Sequence, residues 1–315
     1  METNDMTEAV AAFSYLVRSH NCISSIHLNN TNWDTRALKA AVALKGTVPC
    51  EVSHFRIQGP CQPELLMTML EIIGILTNLR TLDIFNVAVG SDLASKLSKV
   101  IRGNKETLRT VTLVVPAIEQ DGLIGIIHEL ALCPKIISLT LRCPMNTVAS
   151  AIVANVIVTR ENLKNMVCDD KAGSALSRYI AKKLKEGCSL TDLEITSSDE
   201  GTTELILDSI TTNNNLKSIT VHLQGSRLGT FPCSETLRNV LEKNTAISRM
   251  SFIGEKASSH DADIIAKGLR TNKTLAELRL HVQDFEGALH LCRALKYSGL
   301  ELLNIGPVNA QQAQR

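Results

Sequence analysis

Large aromatic side chains are scarce in this sequence. Phe, Trp and Tyr supply 3% of its 315 residues, although 44% of the residues are hydrophobic. A core drawn from Leu, Ile, Val and Ala suits thin stacked layers better than one thick globule. An excess of one charge sign is also lacking: 33 Lys and Arg against 32 Asp and Glu leave a formal net charge of +1. Nucleic-acid binders usually carry a basic excess, so nucleic acid is not an expected partner. No apolar run reaches the roughly 18 residues of a membrane span. The longest, Leu65–Leu76, is broken by Thr68, Glu71 and Gly74. Met1 to Ala12 carries Glu2, Asp5 and Glu8 without a basic flank, unlike a secretory signal. The nine cysteines are odd in number and scattered, which fits reduced thiols in the cytoplasm rather than a disulfide frame. The sequons Asn29–Thr31 and Asn272–Thr274 accordingly read as unglycosylated.

Motifs for chemistry are missing as well. The sequence has no G-x-x-x-x-G-K-[ST], no C-x-x-C and no H-E-x-x-H, and its eight His do not pair at metal-ligand spacing. The expectation is a protein with no catalytic residues, no cofactor and no metal. Cys168 falls in an apolar slot and reads as a small buried hydrophobe.

What is present is a repeat. Eleven segments share the pattern apolar-x-x-apolar-x-apolar, beginning at Ile23, Val52, Leu79, Leu108, Ile136, Leu163, Leu190, Leu216, Ile247, Leu275 and Leu300. Successive starts lie 25 to 31 residues apart, too regular for chance clusters. Each segment alternates in its second half, as in Leu278-Arg279-Leu280, the period of a half-buried strand. Helical spacing follows between strands, as in Leu176, Ile180 and Leu184, or Ile264, Ile265, Gly268 and Leu269. Asn213, Asn244 and Asn272 each stand three residues before a strand motif, with Asn104 one residue out of register and Gly187, Cys133 and His20 in the same slot elsewhere. Asn and Gly tolerate the left-handed conformation that ends a helix, so this slot predicts a C-cap. Strand, loop, helix and return, repeated in one direction, predict a parallel sheet backed by helices.

The period near 28, the L-x-x-L-x-L strands and the N-x-x-L helix exits resemble the ribonuclease-inhibitor-like leucine-rich repeats, over about Val10 to Ile305. That subfamily occurs in ribonuclease inhibitor, in the C-terminal arrays of NOD-like receptors, in Ran GTPase-activating proteins and in F-box substrate receptors. The resemblance implies an α/β right-handed solenoid, or horseshoe, with the strands concave and the helices convex. The family's Asn or Cys three residues after the last strand Leu is absent. Pro116, Pro144, Glu255 and Gln283 are among the residues there, so the loops after the strands depart from the family's regular turn.

Strand side chains alternate, so positions three, five and seven of each motif face away from the core. That assigns a concave binding surface including His54, Arg56, Phe85, Arg142, Asp169, Asp192, Glu194, His222, Arg249, Arg279 and His281. Asp169, Asp192 and Glu194 form an acidic patch, and three like charges on adjacent strands repel unless something requires them. Arg249, Arg279 and His281 make the far end basic, tempered by Glu277. Phe85, Val114, Val167 and Ile253 are apolar on the same face, either anchors of an interface or signs of a failed register. The plain alternative is that such charges only solubilise the sheet.

Residues 1–22 read as an N-terminal capping helix, 23–305 as the solenoid and 306–315 as a polar tail. Repeat ends expose core, so the last strand is covered by that tail, by another chain or by further repeats. The expected function is a non-catalytic scaffold or receptor arm for a protein partner. Two alternatives stand beside it. One is a GTPase activator resembling the Ran activators, using loop residues such as Asn86, Arg142, Asn146 and Asp169. The other is a substrate-recruiting arm of a ubiquitin ligase.

Overall fold

A computed structural model describes residues 24–29, 52–59, 67, 70–71, 73–74, 76–158, 160–169, 175–197, 199–223, 231 and 233–306. The capping helix expected over 1–22, and all of the expected tail except Gly306, lie outside these residues. The chain divides into two compact units, Met1–Ile152 and Val153–Arg315.

In the first unit the strands are β1 (Ser25–Asn29), β2 (His54–Gln58), β3 (Thr81–Phe85), β4 (Thr110–Val114) and β5 (Ser138–Arg142). Its described helices are α1 (Ser91–Gly103), α2 (Gln120–Ala131) and α3 (Thr147–Ile152). The second unit opens with a π-helical stretch, Val153–Ile157, and continues with β6 (Asn165–Asp169), α4 (Ala175–Glu186), β7 (Asp192–Ser197), α5 (Glu200–Thr211) and β8 (Ser218–Leu223). Then follow α6 (Ser234–Lys243), β9 (Arg249–Ala257), α7 (Ser259–Thr271), β10 (Glu277–Val282), α8 (Phe285–Leu295) and β11 (Leu302–Asn304).

All eleven strands begin at the third residue of their motifs, and within each unit they pair parallel in chain order. The fold is the α/β leucine-rich-repeat solenoid that the repeat predicts. In β3 the alternation puts Leu82 and Ile84 inward, where they are buried against the helical layer along with Leu93, Leu97 and Ile101 of α1. No single repeat can cover both surfaces, so each layer depends on its neighbours. Cys133, Cys143 and Cys168 are buried within these layers. Three helix starts of the second unit are capped by side chains: Asp199 accepts from the Thr202 N–H, Asp284 from the Gly287 N–H, and Ser258 with Asp261 forms a reciprocal capping box. Among the described residues, no helix is long and apolar enough to cross a membrane.

The helix-exit asparagines work differently from the C-cap expected of them. Asn104, Asn244 and Asn272 have φ of −114°, −81° and −76°, and among the described residues only Gly187, with φ 93°, takes the left-handed conformation in that slot. The asparagines are buried, and their side-chain amides bridge backbone groups. Asn244 accepts from the N–H groups of Ala246 and Ile247 at 2.9 and 2.8 Å. It donates to the carbonyls of Ile210 and Asn213, one repeat back, at 2.6 and 2.9 Å. Asn272 repeats the arrangement with Thr274 and Leu275 as donors and Leu241 and Asn244 as acceptors. Asn213 donates to the Leu184 carbonyl at 2.8 Å. The result is a ladder of buried amides joining α4 through α7 to the strands that follow.

One buried charge supports the first unit. Glu129 on α2 is 7% exposed and accepts from Arg102 Nε of α1 at 3.0 Å. The Arg102 hydrogen bond holds the Glu129 carboxyl below its ordinary value of 4.5, against burial, which pushes it up. A carboxyl depressed in the folded state contributes stability above its unfolded value, and that contribution is lost as pH falls through the folded value. Glu129→Gln is therefore expected to lower the melting temperature near neutral pH and to flatten its fall on acidification, measured by thermal melts across the acid range.

Candidate functional site

In each unit, the sheet face turned away from the helices is built from the outward strand positions. In the first unit these align in rows, one of which runs Gln58, Phe85, Val114 and Arg142 across β2 to β5. Phe85 is half-buried because the Arg56 guanidinium lies 4.7 Å from its ring centre. Arg56 also donates to Gln58 Oε1 at 2.8 Å. His54, exposed, shares a 2.8 Å hydrogen bond with the Ser53 hydroxyl through Nδ1. The register therefore holds at Phe85 and Val114, and both belong to the open face.

The second unit carries the other predicted residues. Its first row runs Asn165, Asp192, Ser218, Arg249, Glu277 and Leu302, and its second runs Val167, Glu194, Thr220, Ser251, Arg279 and Asn304. Short Ser and Thr side chains at 218, 220 and 251 leave a floor between longer charged ones. Glu194, His222, Arg249, Ile253, Glu277 and Arg279 stand around that floor and line an open concavity of ≈ 360 Å³.

The charges there are interleaved. Arg249 Nη2 reaches over the β8 strand to Asp192 Oδ1 at 3.1 Å. His222 Nε2 meets Glu194 Oε1 at 2.9 Å, and Arg279 Nε meets Glu277 Oε1 at 2.6 Å. The acidic patch expected at Asp169, Asp192 and Glu194 is corrected accordingly. Asp192 pairs with Arg249 two strands away and Glu194 shares a hydrogen bond with the His222 ring one strand away, so the two do not stand as bare neighbouring charges. Asp169 ends β6, where the paired register with β7 stops at Cys168 and Ile195. His281 is exposed on β10 and pairs in register with Lys256, after a shift in the ladder at Leu280/His281.

That shift belongs to a feature the repeat pattern does not reveal. The motif ends at Phe252, yet β9 continues past it to Ala257, nine residues in all from Arg249. Gly254 has φ 118° in its middle, and Ile253 is left 42% exposed beside His222. Thr196, an outward position in the repeat logic, is instead buried at 5% exposure. Among the described residues, no group of three His, Cys, Asp or Glu is arranged to hold a metal ion.

The sequence matches no protein-family profile and no curated protein. Among solved structures, the chain is similar to one in the crystal structure of the Rad7 and Elc1 complex in yeast, with 11% identity and a TM-score of 0.45 over 98% of this chain and 83% of that one. A likeness at this level carries no argument about activity or partner. The fold assignment rests on the repeats and the parallel strands themselves.

Proposed function

We propose that this chain is a non-catalytic protein-binding module whose recognition surface is the open sheet face of the second unit. The carrying observation is the polar concavity over β7 to β10, with charges of both signs around a Ser/Thr floor and Ile253 exposed at its side. In the Arg249–Asp192 and Arg279–Glu277 pairs the arginines are exposed and the carboxylates half-buried. Such pairs contribute little net stability, so a partner with its own charges can exchange into them cheaply. Ile253 supplies an apolar contact beside this polar pattern. The partner is accordingly a protein segment bearing both acidic and basic side chains and at least one apolar anchor. The period and the N-x-x-L exits support the ribonuclease-inhibitor-like subfamily as the finer reading of the fold.

Affinity capture compared across three forms of the chain tests the proposal. Proteins held by the wild type are expected to be lost on Glu194→Lys/Arg279→Glu and retained on Lys182→Glu, a control on the exposed side of α4. Retention by all three forms, or loss with Lys182→Glu alone, would remove this face as the recognition surface.

A further inference from the structure

Several cations on the helices of the second unit are matched by acids. Lys182 and Lys183 meet Glu186, Lys185 meets Asp208, Arg238 meets Glu235 and Glu242, and Lys267 meets Asp263. The cations at the C-terminal ends of α7 and α8, like Arg178 on α4 and Lys243 on α6, are not matched in this way, but they cluster. Arg270 sits in the last turn of α7, and Arg293 and Lys296 sit in and just beyond the last turn of α8. With Cys292 and Tyr297 they surround an open concavity of ≈ 740 Å³, and all five are exposed. The residues three and four positions before each cation are Ala266 and Lys267, Leu289 and His290, and Cys292 and Arg293, which include no acid. The carboxylate whose field reaches Arg270 is Asp263, and it is already held by Lys267 at 2.7 Å.

Helix C-termini attract cations through their carbonyls, and that is the ordinary account of such residues. Here four of those carbonyls already have donors. Gly268 and Leu269 accept from the Asn272 N–H, and Gly268 also from the Thr271 hydroxyl. Ala294 accepts from the Tyr297 N–H, and Leu295 from the Ser298 N–H and hydroxyl. The Lys296 ammonium lies 5.7 Å from the centre of the Tyr297 ring. Three like charges turned to one depression repel one another, and a bound anion relieves that repulsion.

We propose that this concavity binds a small molecule carrying two or more phosphate groups. Arg270 and Arg293 offer planar donor forks that match phosphate oxygens, and Lys296 adds a point charge. Tyr297, 52% exposed, offers a face for the ring of the group that carries the phosphates. The volume falls in the small-molecule range of roughly 300–1,000 Å³.

Titration calorimetry on the full chain, with inorganic pyrophosphate and a nucleoside diphosphate as probes, tests the site. Saturable pyrophosphate binding is expected, weakened about tenfold by Arg293→Gln and abolished by Arg270→Gln/Arg293→Gln. The nucleoside diphosphate is expected to bind more tightly than pyrophosphate, with Tyr297→Ala removing the difference. Pyrophosphate should also slow alkylation of Cys292 in the wild type, read from the mass of the peptide that carries it. This last readout stands even where a variant fails to fold. No saturable binding, binding unchanged by the double substitution, or an unprotected Cys292 overturns the proposal. Binding to anionic lipid vesicles without binding to pyrophosphate overturns it in favour of a membrane surface.

Discussion

Asn244→Ala is expected to lower the unfolding free energy of the chain by about 3 kcal/mol, read by chemical denaturation, because it strands buried backbone groups on two repeats at once. The Ala246 and Ile247 N–H groups both point at Asn244 Oδ1. Asn244 is 4% exposed and Ile247 is buried while Ala246 is half-buried, so the Ile247 N–H is the one cut off from water. The Asn213 carbonyl loses its amide donor, whereas the Ile210 carbonyl keeps the Asn213 N–H at 3.2 Å. The cost is therefore less than the sum of four broken bonds. Asn104 accepts from the Leu79 N–H and donates to the Val100 carbonyl, so Asn104→Ala is expected to cost less than Asn244→Ala. Asn244→Asp keeps the acceptor and loses the two donors, placing a carboxylate against carbonyls. It is expected to destabilise, with part of the loss recovered as the carboxyl protonates in acid. Equal stability of wild type and Asn244→Ala would mean that the ladder carries no energy.

Gly254→Ala is the second large effect. With φ at 118°, an added Cβ falls 2.2 Å from the Leu223 carbonyl oxygen and 3.3 Å from its carbon. The obstacle is backbone of the neighbouring strand, which cannot swing aside as a long side chain can. A cost of about 3 kcal/mol or more is expected, combining backbone strain with overpacking. Gly187→Ala provides the contrast. Gly187 also has positive φ, at 93°, yet nothing lies within 4 Å of its added Cβ. Only conformational strain applies there, about 1 kcal/mol. Paired denaturation curves should separate the two substitutions clearly. Gly254 lies beside Ile253, so its substitution is also expected to disturb the recognition face, whereas Gly187→Ala leaves it intact.

The strands were legible in the sequence because a two-residue alternation recurring every 25 to 31 residues has few other physical explanations. The importance of the Asn slot was legible too, but its mechanism was not. Propensity pointed to a left-handed cap, while the amides bond partners about thirty residues away, which a reading of one repeat does not contain. The open face shows the same division. Alternation placed Asp192, Glu194, Arg249 and Arg279 outward, but Asp192 and Arg249 meet across an intervening strand, 57 residues apart. Grouping charges by neighbouring motifs therefore produced an acidic patch and a basic end where the structure pairs the signs. The long β9 was invisible because the apolar pattern stops at Phe252, and only a backbone turn at Gly254 carries the strand onward.

The most direct test of a binding face over β7 to β10 is site-specific photo-crosslinking with the reactive group at Ser251, on the floor of the concavity, and separately at Lys182, on the exposed side of α4. A partner crosslinked from Ser251 and absent from Lys182 is the predicted result, and its yield should fall with Glu194→Lys/Arg279→Glu. Crosslinking to the same proteins from both positions, or from Lys182 alone, would contradict it.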